Sequence, residues 1–184
     1  MYLILDRDGV INHDSPDYIK SPEEWIPIQG SLQAIAKFKQ AGYKIFVATN
    51  QSGIGRGYYS HSVLDQIHQK MQAELQKLEV SIDGIYYCPH RPEVGCSCRK
   101  PLPGLLLTIA KQHNFLLSEA ICIGDSLRDL QAAQTVSAKN VLVLTGNGKK
   151  TAAEIDSQGI IIYQDLLAAA HALTLPSPTS GRGK

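Results

Sequence analysis

The chain has 184 residues, of which 43% are hydrophobic and 19% charged, and a net charge of +1. That is long enough for one well-buried domain and short for two, and a near-neutral balance without a Lys/Arg cluster argues against nucleic acid as a partner. No apolar run approaches the roughly 20 residues of a membrane helix, and the N-terminus lacks the regions of a signal peptide; the expectation is a cytoplasmic protein with no membrane partner, whose four cysteines are thiols or metal ligands.

Tyr2 to Leu5 is a short apolar run that fits a buried strand, and it stops on Asp6-Arg7-Asp8-Gly9. If Asp6 keeps strand geometry, Asp6 and Asp8 share one side of the chain. Two carboxylates at the end of a buried strand are unfavourable unless something cationic sits between them. Residues 9–30 are irregular and read as a loop or flap over the end of that strand. Ser31 is expected to cap an amphipathic helix over Leu32–Ala41, which Gly42 stops. Ile45–Ala48 reads as the second strand and ends on Thr49-Asn50-Gln51-Ser52-Gly53, with glycines at 53, 55 and 57 keeping the next loop tight. A long helix over Ser60–Leu78 carries Val63, Leu64, Ile67, Met71 and Leu75 on one face. Gly84–Tyr87 is a third strand, followed by a Cys/His-rich loop and a helix over Leu102–Phe115 with Pro103 in its first turn. Ala120–Ile123 is the fourth strand, breaking on Gly124-Asp125-Ser126, with a helix from Leu127 to about Val136 after it. Asn140–Leu144 and Ile160–Tyr163 complete the strands, the last at the sheet edge, and Asp165–Leu173 is the final helix. Residues 176–184 read as a disordered tail, which leaves 1–175 as one domain.

Short apolar strands alternating with helices imply right-handed βαβ units, hence an α/β, Rossmann-like, doubly wound parallel sheet. Ligands bind such sheets at the carboxyl ends of the strands. Asp6/Asp8, Thr49/Asn50, Arg99/Lys100 and Asp125 all follow strands and can converge on one edge. No interval between them has room for an inserted cap domain. Asp6, Asp8 and Asp125 in one crevice, with Asp129 a helical turn beyond, are tolerable around a divalent cation, and an all-oxygen site favours Mg²⁺. Lys100, Thr49 and the amides near Asn50 offer donors for phosphate oxygens. Nucleophile, acid, metal and lysine together suit phosphoryl transfer through a covalent intermediate. Taken singly, each has a plainer reading: Lys100 on the surface, Thr49 capping a strand, Asp125 and Asp129 capping the next helix.

Cys88-Pro89-His90 and Cys96-Ser97-Cys98 set four soft ligands in one loop, a set that fits a closed tetrahedral Zn²⁺ site. Unrelated buried thiols are the plain alternative. A zinc-ribbon nucleic-acid module would need more widely spaced pairs and basic, aromatic flanks. Cys122, inside an apolar strand, reads as core.

These motifs, in this order, resemble those of the haloacid dehalogenase-like phosphatases over nearly the whole chain. Asp6-Arg7-Asp8-Gly9-Val10 is similar to their first motif, Thr49 to the second, Lys100 to the third and Gly124-Asp125-Ser126-x-x-Asp129 to the fourth. The resemblance implies that Asp6 attacks phosphorus and that Asp8 protonates the leaving alkoxide, then deprotonates water. It implies that Asp6, the Asp8 main-chain carbonyl and Asp125 hold Mg²⁺, that Thr49 and Lys100 hold phosphoryl oxygens, and that Asp129 either stands behind the metal ligands or orients Lys100. Tyr86-Tyr87-Cys88-Pro89-His90, Cys96-x-Cys98-Arg99-Lys100-Pro101 and Thr49-Asn50-Gln51-Ser52-Gly53-Ile54 narrow the likeness to the capless heptose-bisphosphate 7-phosphatases and the related histidinol phosphatases. There Cys88, His90, Cys96 and Cys98 would hold a structural zinc, and the product would be heptose 1-phosphate, a precursor of sugar nucleotides for bacterial surface polysaccharides. Implied substrate contacts are Asp14 and Tyr18 from the flap, Asn50, Gln51 and Ser52, and Arg99 on a second phosphate. The expected partner is a small phosphorylated sugar, and the expected assembly a monomer. Histidinol phosphate is the rival substrate, since the chemistry is the same; a non-catalytic sugar-phosphate-binding or zinc-organised interaction protein is the rival class, which would not require a nucleophile next to an acid.

Overall fold

A computed structural model of the chain describes residues 1–156 and 158–175; the expected tail over 176–184 lies outside the described residues. Six strands run in the order β3-β2-β1-β4-β5-β6, all parallel. They are β1 (Tyr2–Leu5), β2 (Lys44–Asn50), β3 (Gly84–Cys88), β4 (Ala120–Gly124), β5 (Lys139–Val143) and β6 (Ile161–Tyr163). The helices are α1 (Ser31–Gln40), α2 (Ser52–Gly55), α3 (His61–Gln76), α4 (Gly104–His113), α5 (Leu127–Thr135), α6 (Gly148–Glu154) and α7 (Leu166–Leu173).

Alternation along the central strands sorts the core into two layers. Leu3, Leu5, Ile45, Val47, Ile123, Val141 and Val143 face one way and pack with residues of α1, α3 and α7, whereas Ile4, Phe46, Ala48, Ala120 and Cys122 face the other and pack with α4 and α5. The buried Cys122 is core, as its strand setting implies. From β1 the chain winds outward through β2 and β3, then crosses back to β4 and winds the other way. The strand order therefore reverses between β1 and β4, which opens a crevice at their carboxyl ends. Among the described residues no cap domain stands over that edge.

Several local expectations are corrected. Ser31 does not cap α1: Gly30 occupies the N-cap position in a left-handed conformation, and the Ser31 hydroxyl donates to the Ile11 carbonyl at 2.6 Å. Tertiary tethering to the flap outcompetes the local cap. The glycine loop after β2 contains one helical turn, α2. Pro103 is the N-cap of α4, which therefore starts at Gly104, two residues late, and ends at His113 before Phe115. Thr49 and Asn50 belong to β2 itself, paired with Tyr87 and Cys88. Helix α6 was unanticipated. Its seven residues bury only Gly148 and Thr151, too few for an apolar period to show. Residues 9–30 do arch from the end of β1, but Val10, Ile11 and Trp25 are wholly buried, so the flap is rooted in the core.

Candidate active site

Asp6 follows β1 directly, its amide still donating to the Ile123 carbonyl of β4 at 3.0 Å, so its carboxylate stands in the crevice between the two strands. The Lys100 ammonium reaches the same place from the far loop. It donates to the Ala48 carbonyl at 2.7 Å, lies 3.0 Å from Asp6 Oδ1 and contacts Asp129 Oδ1. Burial pulls this ammonium down, but the carboxylates of Asp129 and Asp6 outweigh burial and hold it above its ordinary value. Asp129 moves the other way: burial would raise it, yet Lys100 and the Ser126 donors leave it below the usual carboxylate range. Its Oδ2 accepts from the Ser126 amide at 3.0 Å and from the Ser126 hydroxyl, so Asp129 both caps α5 and pairs with Lys100.

Burial pushes Asp6 up to about 8, with Lys100 opposing and Asp129, Asp125 and Asp8 reinforcing the rise. Burial likewise pushes Asp125 up to about 6, with Asp129 adding to it and the Asn147 donors opposing. A buried carboxylate held up by like charges gains most from a cation. One oxygen from each of Asp6, Asp125 and Asp129 lies within 4.8 Å of the others, an all-oxygen set that suits Mg²⁺. Because Asp129 is taken up by Lys100 and Ser126, Asp6 and Asp125 are the pair best disposed to hold such an ion. Two glycines make the approach possible: a Cβ on Gly9 would lie 2.1 Å from Asp125 Oδ2, and one on Gly146 would lie 2.2 Å from the same atom.

Asp8 lies on the other wall in different surroundings. Arg7, which is 0% exposed, forks onto it: Nε and Nη2 lie 3.0 and 2.9 Å from Oδ1, and Nη2 lies 3.0 Å from Oδ2. Asn12 Nδ2 donates to Oδ1 at 2.9 Å and Gln51 Nε2 to Oδ2 at 2.8 Å. Each of the two aspartates thus meets a cation of the chain itself, Arg7 for Asp8 and Lys100 for Asp6.

A polar cavity of about 220 Å³ opens here, lined by Asp6, Asp8, Thr49, Lys100, Asp125 and Asp129 and also by Asp14, Tyr18, Asn50, Gln51, Ser52 and Arg99. Every residue expected at the catalytic, substrate or Mg²⁺ positions therefore reaches one cavity. Their engagements differ. Asn50 exchanges hydrogen bonds with the Lys100 main chain, donating at 3.0 Å and accepting at 3.1 Å, and so fixes where that lysine begins. Gln51 is 3% exposed, and both ends of its amide are occupied by protein groups. Arg99 donates one hydrogen bond, to the His90 carbonyl at 3.3 Å, and lines the cavity. Burial and the neighbouring Asp8 raise Asp14 above the usual carboxylate range, against the Ser15 and Asn147 donors.

Sequence reasoning missed Arg7, Asn147 and Arg128. Asn147 donates to Asp125 Oδ2 through its amide at 2.7 Å and its side chain at 3.2 Å. It follows β5 in Thr145-Gly146-Asn147-Gly148, so the strand-end rule that singled out the other clusters applies to it too. Arg128, in the first turn of α5, lines the cavity beside Asp14. Arg7 carried one available signal, a charge directly following an apolar strand and flanked by two carboxylates.

Beside the cavity, Cys88, His90, Cys96 and Cys98 turn their ligand atoms together. The three sulfurs lie 3.2–3.5 Å apart, and His90 Nδ1 lies 3.7 and 3.4 Å from the sulfurs of Cys88 and Cys98. A tetrahedron with bonds of about 2.3 Å has edges of about 3.8 Å, so the donor set fits zinc in both chemistry and spacing. No member of this cluster lines the cavity of Asp6 and Asp8.

Comparison with known proteins adds to this geometry. A family model described as HAD-hydrolase-like matches residues 97–169. The chain is 49% identical over 171 residues to a D-glycero-beta-D-manno-heptose-1,7-bisphosphate 7-phosphatase of Pseudomonas aeruginosa, covering 93% of this chain and 96% of that one. It is 52% identical over 149 residues to the Neisseria meningitidis protein of the same name, covering 81% of this chain and 80% of the other. The crystal structure of D,D-heptose 1,7-bisphosphate phosphatase from B. bronchiseptica, complexed with magnesium and phosphate, superposes with a TM-score of 0.91 at 47% identity, covering 94% of this chain and 97% of that one.

Proposed function

The chain belongs to the HAD-like hydrolases, in the family of these D-glycero-β-D-manno-heptose-1,7-bisphosphate 7-phosphatases, and from that premise we propose that it removes the 7-phosphate of the heptose bisphosphate and leaves heptose 1-phosphate. The observation that carries this reading is the Asp6 carboxylate at the sheet's switch point, held by Lys100, with Asp8 and Asp125 in the same cavity. On this reading residues 1–175 form one catalytic domain. It acts in the cytoplasm as a monomer; among the described residues no helix is long and apolar enough to cross a membrane.

Asp6 attacks phosphorus in line. Its oxygen bonds to phosphorus as the bond from phosphorus to the sugar oxygen breaks, and the departing alkoxide takes the proton of Asp8. Water then attacks the aspartyl phosphate and gives its proton back to Asp8, and Asp6 leaves as a carboxylate with inorganic phosphate released. Lys100 and the Thr49 hydroxyl hold the transferring oxygens. Asp6, Asp125 and the Asp8 main-chain carbonyl would hold Mg²⁺, which would supply charge neutralisation at the phosphoryl group. Cys88, His90, Cys96 and Cys98 would hold Zn²⁺, which would fix the loop that carries Arg99 and Lys100. Arg99 takes the second phosphate, Asp14, Tyr18 and Ser52 meet the sugar, and Asn50 and Gln51 act mainly by holding Lys100 and Asp8.

The test is phosphate release from the β-heptose bisphosphate and from histidinol phosphate side by side, with Asp6→Asn as control. The reading expects strong preference for the bisphosphate and no turnover by Asp6→Asn, whose amide cannot attack phosphorus. Faster release from histidinol phosphate would favour that rival substrate over the heptose bisphosphate. Substantial turnover by Asp6→Asn would remove the covalent route.

A further inference from the structure

The buried Arg7 is the largest charged group that this mechanism leaves unused. Its guanidinium has no solvent, so each of its donors must find a partner in the protein. Nε and Nη2 take Asp8, Nη2 also reaches Gln51 Oε1 at 3.2 Å, and Nη1 lies 3.2 Å from His68 Nε2. Next to a guanidinium, His68 Nε2 can only accept, so the ring is neutral with its proton on Nδ1. The Gln51 amide is fixed in the same way. Its Oε1 accepts from Arg7 and from the Tyr59 hydroxyl at 2.7 Å, which obliges Nε2 to face Asp8 and the Thr49 hydroxyl, at 2.8 and 2.9 Å.

We propose that Arg7, backed by His68 and by the Tyr59–Gln51 pair, is the positioning residue that aims the Asp8 carboxyl group at the leaving oxygen. A forked guanidinium fixes both the place and the plane of a carboxylate. The Asp8 side chain nevertheless keeps 20% of its surface exposed on the cavity side, so it is oriented without being covered. Gln51 links that orientation to Thr49, which tethers the proton-transferring group to the wall that holds the phosphoryl oxygens. Lysine at position 7 would keep the charge but lose the fork.

The inference rests on Asp8 being the acid of the reaction, and its test separates the two ideas. Phenyl phosphate and 4-nitrophenyl phosphate differ little in size, but phenolate needs a proton to leave far more than nitrophenolate does. Their kcat/KM values report the step in which the leaving group departs. For Arg7→Lys the expected loss is about 10²-fold with phenyl phosphate and with the heptose bisphosphate, the scale of a misplaced catalytic group, and under about fivefold with 4-nitrophenyl phosphate. Tyr59→Phe, which removes one hydroxyl remote from phosphorus, should show the same split at roughly 3–10-fold, and it decides the matter if Arg7→Lys does not fold. Equal losses with both aryl esters in these variants would overturn the proposal while Asp8→Asn still shows the split. If Asp8→Asn lacks the split as well, the assignment of Asp8 as acid fails first and the positioning role fails with it.

Discussion

Two loops finish this active site, and they are held by different physics. The flap over residues 9–30 is anchored by burial: Val10, Ile11 and Trp25 are 0% exposed. Lys70 of α3 donates to the Pro22 and Trp25 carbonyls at 2.6 and 3.0 Å and lies 5.9 Å from the Trp25 ring. The loop from Cys88 to Pro103 has almost no core of its own. Arg91 to Gly95 and Ser97 are exposed, and Val94 presents 55% of its surface to solvent. What gathers this loop is the set of ligand atoms on Cys88, His90, Cys96 and Cys98. Lys100, wedged between Asp6 and Asp129, begins two residues after the last of them. The flap is therefore part of the folded core, whereas the loop that carries Arg99 and Lys100 is gathered by a donor set that fits a metal ion.

The largest effect should come from breaking the metal side alone. Cys96→Ser should lose one zinc equivalent by metal analysis and about 10²-fold in activity, because a small displacement of Lys100 is enough to misalign the phosphoryl group. The flap should not notice. Trp25 is the single tryptophan, so its fluorescence reports the flap without labelling, and its emission should stay that of the wild type in Cys96→Ser. A red shift on loss of zinc would mean that the two loops are one cooperative unit.

The converse break is Trp25→Ala. Removing a fully buried indole should cost about 3–5 kcal/mol of stability, read by denaturant or thermal unfolding, with zinc content unchanged. Loss of zinc from a folded Trp25→Ala protein would again erase the distinction.

How much of this was legible beforehand follows from the same contrast. The strands were readable because each is a short apolar run that stops on polar residues. That one pattern located Asp6, Thr49 and Asp125 and brought them to one edge, since parallel sheets put their carboxyl ends together. The cysteine loop was readable because its four ligands lie within eleven residues, Cys88 to Cys98, and need no tertiary knowledge to be seen as a set. The flap's anchoring was not readable. Trp25 lies in an irregular stretch with no period, and its partner Lys70 lies on a helix 45 residues away. Arg7 was hidden for a related reason: its burial depends on His68, 61 residues on, and on Gln51, 44 residues on. Ser31 shows the opposite error, a strong local cap signal overridden by a bond to the flap.

Arg99→Ala sharpens the comparison within the metal side, since it changes the loop's cargo while leaving all four ligand side chains in place, at the loss of one 3.3 Å hydrogen bond to the His90 carbonyl. A charge-assisted contact to the second phosphate should be worth about 1.5–3 kcal/mol, or roughly 10- to 100-fold in kcat/KM for the bisphosphate. Hydrolysis of a sugar monophosphate should change little, because the contact is remote from the reacting phosphorus. Equal losses on both substrates would place Arg99 on the transferring group.

The smallest effect lies on the burial side and is a matter of pH. His68 sits two residues before Lys70 on α3 and supports Arg7 as Lys70 supports the flap. Burial, with the Arg7 charge added and Asp8 opposing, lowers its imidazole from 6.5 to about 3. The unfolded chain therefore binds a proton on this ring before the folded one does, so the stability it contributes is complete above about 6.5 and is lost as pH falls toward about 3. Between neutral pH and pH 5 that loss should amount to about 1–2 kcal/mol. His68→Gln can still accept from Arg7 but cannot take the proton, so its unfolding free energy should fall less steeply over that range than the wild type's. Acid releases zinc from thiolate ligands as well, which would tilt both proteins equally, so the difference between the two slopes isolates His68. Parallel slopes would mean that the ring gains no proton on unfolding, and that Arg7 rests on Asp8 and Gln51 alone.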